Sequence, residues 1–303
     1  YSDTILALKE CGFSYDSSPA LVWDVAKEWE SDSFRHVISF YGAASASRFP
    51  SIPKLNNGVV QLPYSLPDDE ALVERFKLTN PTDMNHIWLA MLEEIYQVGE
   101  LFVVGLHPER VSLCQEPLRA LLRKARQLSP CVWIARLDEI TEWYLALGEA
   151  IVMAQKKSDG GLQINIQAPS RAVILFRSID IHSPNKPWAN GYQQILSNEF
   201  TIPDKGKPWI GLSPQRPESL ELFLRHQGFL TEISSEPAQF SYYFNQTTFQ
   251  PDDERIILTA LEDETKPLLR LRRWPEGAKA ALAVTGDVDA FTLWDYGMRI
   301  VHR

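Results

Sequence analysis

One of the six histidines in this 303-residue chain stands where α/β enzymes keep their chemistry. His107 follows Leu101-Phe-Val-Val-Gly-Leu106, an almost wholly apolar run of six, and precedes Pro108. Such a run reads as a strand buried on both faces in a parallel sheet. Side chains at the carboxyl end of a strand of that kind line the ligand crevice. An imidazole there can give a proton to a departing amine, because its pKa lies near neutrality. The other reading is a satisfied loop histidine packed on the helix that follows. A second candidate is Asp287-Val288-Asp289, which comes after the apolar stretch 280–284. Two carboxylates two residues apart point the same way in an extended chain. One could then hold a divalent metal while the other acts as base toward the metal-bound water. Against this, aspartates also cap helices, and Asp289 precedes a helical pattern. A third candidate is Asp16, in the turn Tyr15-Asp16-Ser17-Ser18 before Pro19. It suits an Asx-type turn, or a place behind a histidine that it orients.

Several chemistries are excluded by what is missing. The histidines are His36, His86, His107, His182, His226 and His302, and no two are spaced as H-x-x-x-H or H-E-x-x-H. There is no G-x-G-x-x-G, Walker loop or G-x-S-x-G elbow. Cys11, Cys114 and Cys131 are far apart and odd in number, which reads as thiols rather than a disulfide framework or a zinc knuckle. Net charge is −9, from 39 acidic and 30 basic side chains. That sign repels phosphate backbones and argues against nucleic acid as a partner, while leaving a neutral sugar polymer open. No apolar run is long enough for a membrane span. The chain opens at Tyr1 without a basic, apolar leader, so it is expected to be processed or cut from something longer.

The elements that must position these residues alternate between helix and strand over the first 155 residues. Helices are expected at 2–11, 82–98, 117–128 and 137–155, and strands at 35–40, 59–62, 101–106 and 131–135. An acidic helix start is read at Pro67-Asp68-Asp69-Glu70. The alternation predicts an α/β layer or barrel. A polar, glycine-bearing linker follows at 156–161, then a β-rich domain over 160–273. Its strands are expected at 162–167, 172–176, 208–212, 230–233, 255–261 and 268–274, with one helix at 218–226. Trp188, Phe223, Phe229 and Tyr242 in that domain suit core packing, or stacking on sugar rings.

The segment Tyr1-Ser-Asp-Thr-Ile-Leu-Ala-Leu-Lys-Glu-Cys-Gly-Phe-Ser-Tyr-Asp-Ser-Ser18 resembles the stretch after the Arg-x-Pro-Tyr motif of polysaccharide deacetylases, the NodB-homology family. The strand ending in His107-Pro108 looks like that family's final motif. The segment Cys131-Val-Trp-Ile-Ala-Arg-Leu-Asp-Glu-Ile-Thr-Glu-Trp143 is similar to its last strand and helix. Thr285-Gly-Asp-Val-Asp-Ala290 resembles its first motif, although it comes after the last one here. The resemblance implies the second half of a distorted (β/α) deacetylase barrel over residues 1–155. The smaller β-rich α+β domain read over 160–273 follows it, and residues 274–303 resemble the start of a second deacetylase domain. The resemblance makes His107 the general acid, Asp287 the catalytic base and Asp289 a ligand of a divalent metal, with zinc the expected ion. The expected activity is hydrolysis of N-acetyl amides on a polysaccharide. The paired metal-binding histidines and Arg-x-Pro-Tyr are missing, so these residues alone are expected to be inactive. The alternative is a non-catalytic carbohydrate-binding or assembly protein with a degenerate barrel.

Overall fold

The computed structural model describes residues 2–158, 160–203, 205–263 and 265–286. The chain is mixed α/β, and its contacts group it into two compact units. Among the described residues the first holds 2–128, 134–137 and 280–286, and the second holds Ser129–Trp133 and Asp138–Lys279. This break lies well before the polar stretch at 156–161. That stretch is a hairpin loop inside the second unit: Ile151–Lys156 pairs antiparallel with Gly161–Gln167, with Lys156 opposite Leu162. Glycine and polar residues serve a tight turn as readily as a domain linker, and the sequence does not tell them apart.

The first unit is built mostly on parallel pairs, with one antiparallel pair between Lys54–Asn56 and Val59–Gln61. Tyr15–Asp16 lies beside Val59–Gln61, and Ala20–Val22 lies between Ala44–Ser45 and Tyr64–Leu66. Leu101–Leu106, the histidine strand, pairs with Ala280–Gly286 in an unbroken register from Leu101↔Ala281 to Leu106↔Gly286. The segment expected to open a further domain therefore supplies a strand to the sheet that carries His107. All six residues of the histidine strand are buried, which is why the run carries no polar side chain. Among the described residues, sheets have three or four strands and none closes into a barrel.

The helix Pro81–Val98 is set by local chemistry. Asn80 Oδ1 accepts from the Thr82 N–H at 2.9 Å, Pro81 occupies the first turn, and Gly99 leaves in the left-handed region at φ 71°. Its Met84, Ile87, Trp88, Met91 and Ile95 are buried, and it packs against the helix Val111–Gln127. Two expected strands are helices. The stretch 35–40 lies in Asp32–Tyr41, where the Ser31 side chain accepts from the Phe34 N–H and Gly42 ends the helix. Phe34 and Val37 form its buried face, with Phe34 edge-on to Phe76 at 4.6 Å between centroids. The stretch 255–261 lies in Pro251–Asp263, which opens on Asp252, Asp253 and Glu254. There Ile257, Leu258 and Leu261 are buried while Ile256 is exposed, a helical spacing that a short apolar run hides. The helix expected over 137–155 is two elements, a helix Leu137–Gly148 and then the strand Ile151–Lys156. Gly148 ends the helix where the His226 ring packs so close that a Cβ would stand 2.1 Å from it.

Among the described residues the second unit contains three small sheets. Ile151–Lys156, Gly161–Gln167 and Glu199–Pro203 form an antiparallel sheet, with Leu162, Ile164 and Ile166 turned to the core. A four-stranded antiparallel sheet contains Ile174–Arg177 and Leu268–Leu271. Lys207–Leu212 lies between Thr231–Ile233 and Phe240–Phe244, all parallel, with the helix Glu218–His226 connecting two of them. Phe223, Phe229 and Tyr242 are buried, so they pack the core. Trp188 is half-buried, and its Nε1 donates to the Gly277 carbonyl at 2.8 Å. Among the described residues, no helix is long and apolar enough to cross a membrane.

Candidate active site

The carboxyl end of the histidine strand meets the loop that follows Tyr64–Leu66. The Ser65 hydroxyl oxygen accepts from the Val103 N–H at 3.3 Å, which ties the two strands together. The chain then runs through Pro67, whose carbonyl accepts from Trp88 Nε1 at 3.2 Å. Asp68 and Asp69 follow at the start of a short π-helical turn, Ala71–Arg75. The Leu72 N–H donates to the Asp68 carbonyl at 3.0 Å, and the Ala71 N–H to Asp68 Oδ1 at 2.8 Å. These bonds turn the chain so that Asp69 points at His107.

Asp69 grips that histidine at two points. The His107 backbone N–H donates to Oδ2 at 2.7 Å, and ring Nδ1 meets Oδ1 at 2.6 Å. Both residues are buried. A carboxylate accepts only, so Nδ1 carries the proton and Nε2 is the ring atom turned away from Asp69. The hydrogen bond to Asp69 lifts the His107 pKa to about 9, against the opposing effect of burial. The imidazole is therefore a cation near neutrality. Arg110 lies close by, pairing with Glu74 and Glu109, and it works against that rise.

Asp68 has a different setting. Its Oδ2 accepts from the Tyr64 hydroxyl at 2.8 Å, and burial raises its pKa to about 6. The Tyr64 ring reaches it by crossing Gly105 in the histidine strand. A Cβ at Gly105 would stand 1.8 Å from the Tyr64 hydroxyl oxygen and 2.2 Å from its ring carbon. Gly105→Ala is expected to push Tyr64 off Asp68 and cost roughly 1–3 kcal/mol of stability. Thermal unfolding reads this as a lowered Tm. An unchanged Tm would mean that Tyr64 can leave the strand without cost. Cys114 is buried near this cluster, and burial pushes its thiol up to about 12, so it stays protonated and inert.

Of the residues singled out from the sequence, His107 is at the centre of this cluster. Asp16 Oδ1 accepts from the Ser18 N–H at 3.0 Å and from the Ser18 hydroxyl, and Gln61 Nε2 donates to its Oδ2 at 3.3 Å. Asp16 makes an Asx-type turn, and the carboxylate on the His107 ring is that of Asp69. Asp287 and Asp289 lie outside the described residues. The described strand ends at Gly286, in register with Leu106. Asp68 and Asp69 read in the sequence as the acidic first turn of a helix. The signal that marks them as more is their place directly after a short strand, where an acidic pair serves a site as well as a helix end.

No family model, curated protein or solved structure matches the chain. The chemistry of the site must therefore be read from its own atoms. Asp68, Asp69 and His107 each offer a ligand atom, all within 4.8 Å of one another, so the three could hold a metal ion. In the arrangement present, Nδ1 and Asp69 Oδ1 stand 2.6 Å apart, which is a hydrogen bond. Two ligands on one tetrahedral zinc would stand about 3.3 Å apart, from bond lengths near 2.0–2.1 Å. The pair as built holds a proton, and it would have to open for Nδ1 and Oδ1 together to take a metal.

Proposed function

We propose that the protein carrying this chain is a metal-dependent deacetylase that hydrolyses N-acetyl groups on a polysaccharide, with His107 as its general acid. The observation that carries the reading is the buried Asp69–His107 pair at the carboxyl end of the histidine strand. A cationic imidazole held by a carboxylate is a proton donor in waiting. Amide cleavage needs one, because an amine leaves poorly as an anion. As the C–N bond of the tetrahedral species breaks, the proton on Nε2 goes to the nitrogen, and acetate and a free amine result. Asp69 keeps its place and steadies the charge on the ring.

The other half of the reaction rests on the family resemblance. Asp287 takes the proton from the attacking water, and Asp289 belongs to the metal's ligand set. A metal held there, zinc in this reading, would supply Lewis acidity toward the acetyl carbonyl and lower the pKa of water. The test is acetate release from N-acetylglucosamine oligomers by the whole protein, before and after treatment with a chelator. Release that stops with the chelator and returns with zinc is expected. Acetate release that the chelator leaves unchanged would overturn the metal-dependent reading. No release from any N-acetylated glycan would overturn the deacetylase reading and make the pair a structural feature of a glycan-binding protein.

A further inference from the structure

The second unit carries an open sheet edge. Ile151–Lys156 is the outer strand of its three-stranded sheet, and among the described residues no strand pairs with its other side. Five of its six residues are exposed, among them Ile151 at 51% and Met153 at 40%. The bonding pattern shows which groups turn outward. The Lys157 N–H donates to the Gly161 carbonyl at 2.8 Å, so the odd-numbered residues of this strand bond to Gly161–Gln167. Val152 and Ala154 then present their N–H and C=O groups away from the sheet. Bulges, prolines and charged side chains are the usual devices that blunt an edge, and the one charged residue of this strand, Lys156, is its last. Here the pairing with Gly161–Gln167 runs without a bulge, and the strand contains no proline. A cavity of about 270 Å³, lined in part by Ala150, Ile151, Val152, Arg225 and Phe229, opens beside the start of the strand.

We propose that this edge is an interface between two copies of the chain, joined by antiparallel pairing of Ile151–Lys156 with itself. A twofold axis at Met153 satisfies the outward groups. It sets Val152 opposite Ala154 of the second copy in a hydrogen-bonded pair, and Met153 opposite Met153 in the close, non-bonded position. The same register brings the exposed Glu149 of one copy toward the exposed Lys157 of the other, twice per dimer. That charge match, with apolar residues at the centre, favours a second copy over an unrelated strand. A parallel arrangement would set like charges together. The opposite edge of the same sheet, Glu199–Pro203, ends in a proline. Another edge strand, Thr231–Ile233, has only three residues, and Glu232 there is taken by Lys207 and Trp209.

Sedimentation velocity on the full chain tests the proposal. The wild type is expected to run as a dimer at micromolar concentration. Ala154→Pro removes an outward N–H while leaving the ladder to Gly161–Gln167 intact, and a monomer is expected. Glu149→Lys should raise the dimer Kd roughly tenfold, since two opposed pairs become like-charged. Glu149→Lys combined with Lys157→Glu should bring it back. The charge-swap series decides the matter if Ala154→Pro fails to fold by circular dichroism. A monomeric wild type would overturn the proposal, as would a dimer indifferent to the charge changes.

Discussion

In the whole protein, His107→Ala is expected to cut turnover on an N-acetylated glycan by about 10²–10⁴-fold, with a smaller change in KM. The split follows from the role. In the proposed deacetylase the proton on Nε2 would be needed as the C–N bond breaks, and a group used only then is missed in kcat. The substitution also has a structural cost. Asp69 would keep its bond from the backbone N–H but lose the ring, leaving a buried carboxylate short of its partner. Breaking a buried charge pair in this way costs about 3–5 kcal/mol. His107→Asn separates the two effects, because its amide can still donate toward Asp69 while having no proton to lose near neutrality. Acetate release measured on both variants, beside their unfolding curves, is the check. A folded His107→Asn protein at the wild-type rate would remove the general-acid role.

Asp69→Asn should move the alkaline limb of the pH–rate profile down from about 9, because the hydrogen bond that raises His107 is lost while burial still lowers it. It should also lower the rate at neutral pH, because an amide facing Nδ1 favours the tautomer that leaves this nitrogen unprotonated. The same residue makes a prediction about stability. The folded-state pKa of His107 is raised, so the folded protein binds a proton that the unfolded chain has released between about 6.5 and 9. The contribution is fully present below about 6.5 and is lost as pH rises through about 9. A shift of that size corresponds to about 3 kcal/mol. Asp68 is raised as well, to about 6, so its effect also falls away with rising pH, between about 3.8 and 6. In Asp69→Asn the loss between 6.5 and 9 should vanish while the one at lower pH remains. Urea unfolding at pH 5, 7 and 9 on both proteins reads this directly. An unchanged alkaline slope in the variant would mean that Asp69 does not set the His107 pKa.

Half of the candidate site is legible in the sequence. His107 stands out because a short, uncharged run with two valines and an internal glycine favours a buried strand over a helix, and the first polar residue after it then sits at the strand's end. The same local logic locates Pro81–Val98, whose cap and stop signals lie within the helix's own neighbourhood, and Glu218–His226, whose ends it predicts. Where two local readings fit one stretch, the sequence leaves the choice open or misleads. The apolar runs at 35–40 and 255–261 are short enough for strand or helix, and Ser31 with Phe34 and Phe76 decides the first for helix.

Local pattern therefore settles the mixed α/β character of the chain, its acidic balance of charge and the strand that delivers His107. Which carboxylate meets that histidine is a matter of tertiary folding alone. Asp16 and Asp69 lie 91 and 38 positions from His107, and neither distance along the chain carries information about contact. Folding likewise brings Ala280–Gly286, far down the chain, beside Leu101–Leu106. Periodicity and capping are written into neighbouring residues. Pairing between distant strands depends on how buried faces find one another, and only the folded chain expresses that.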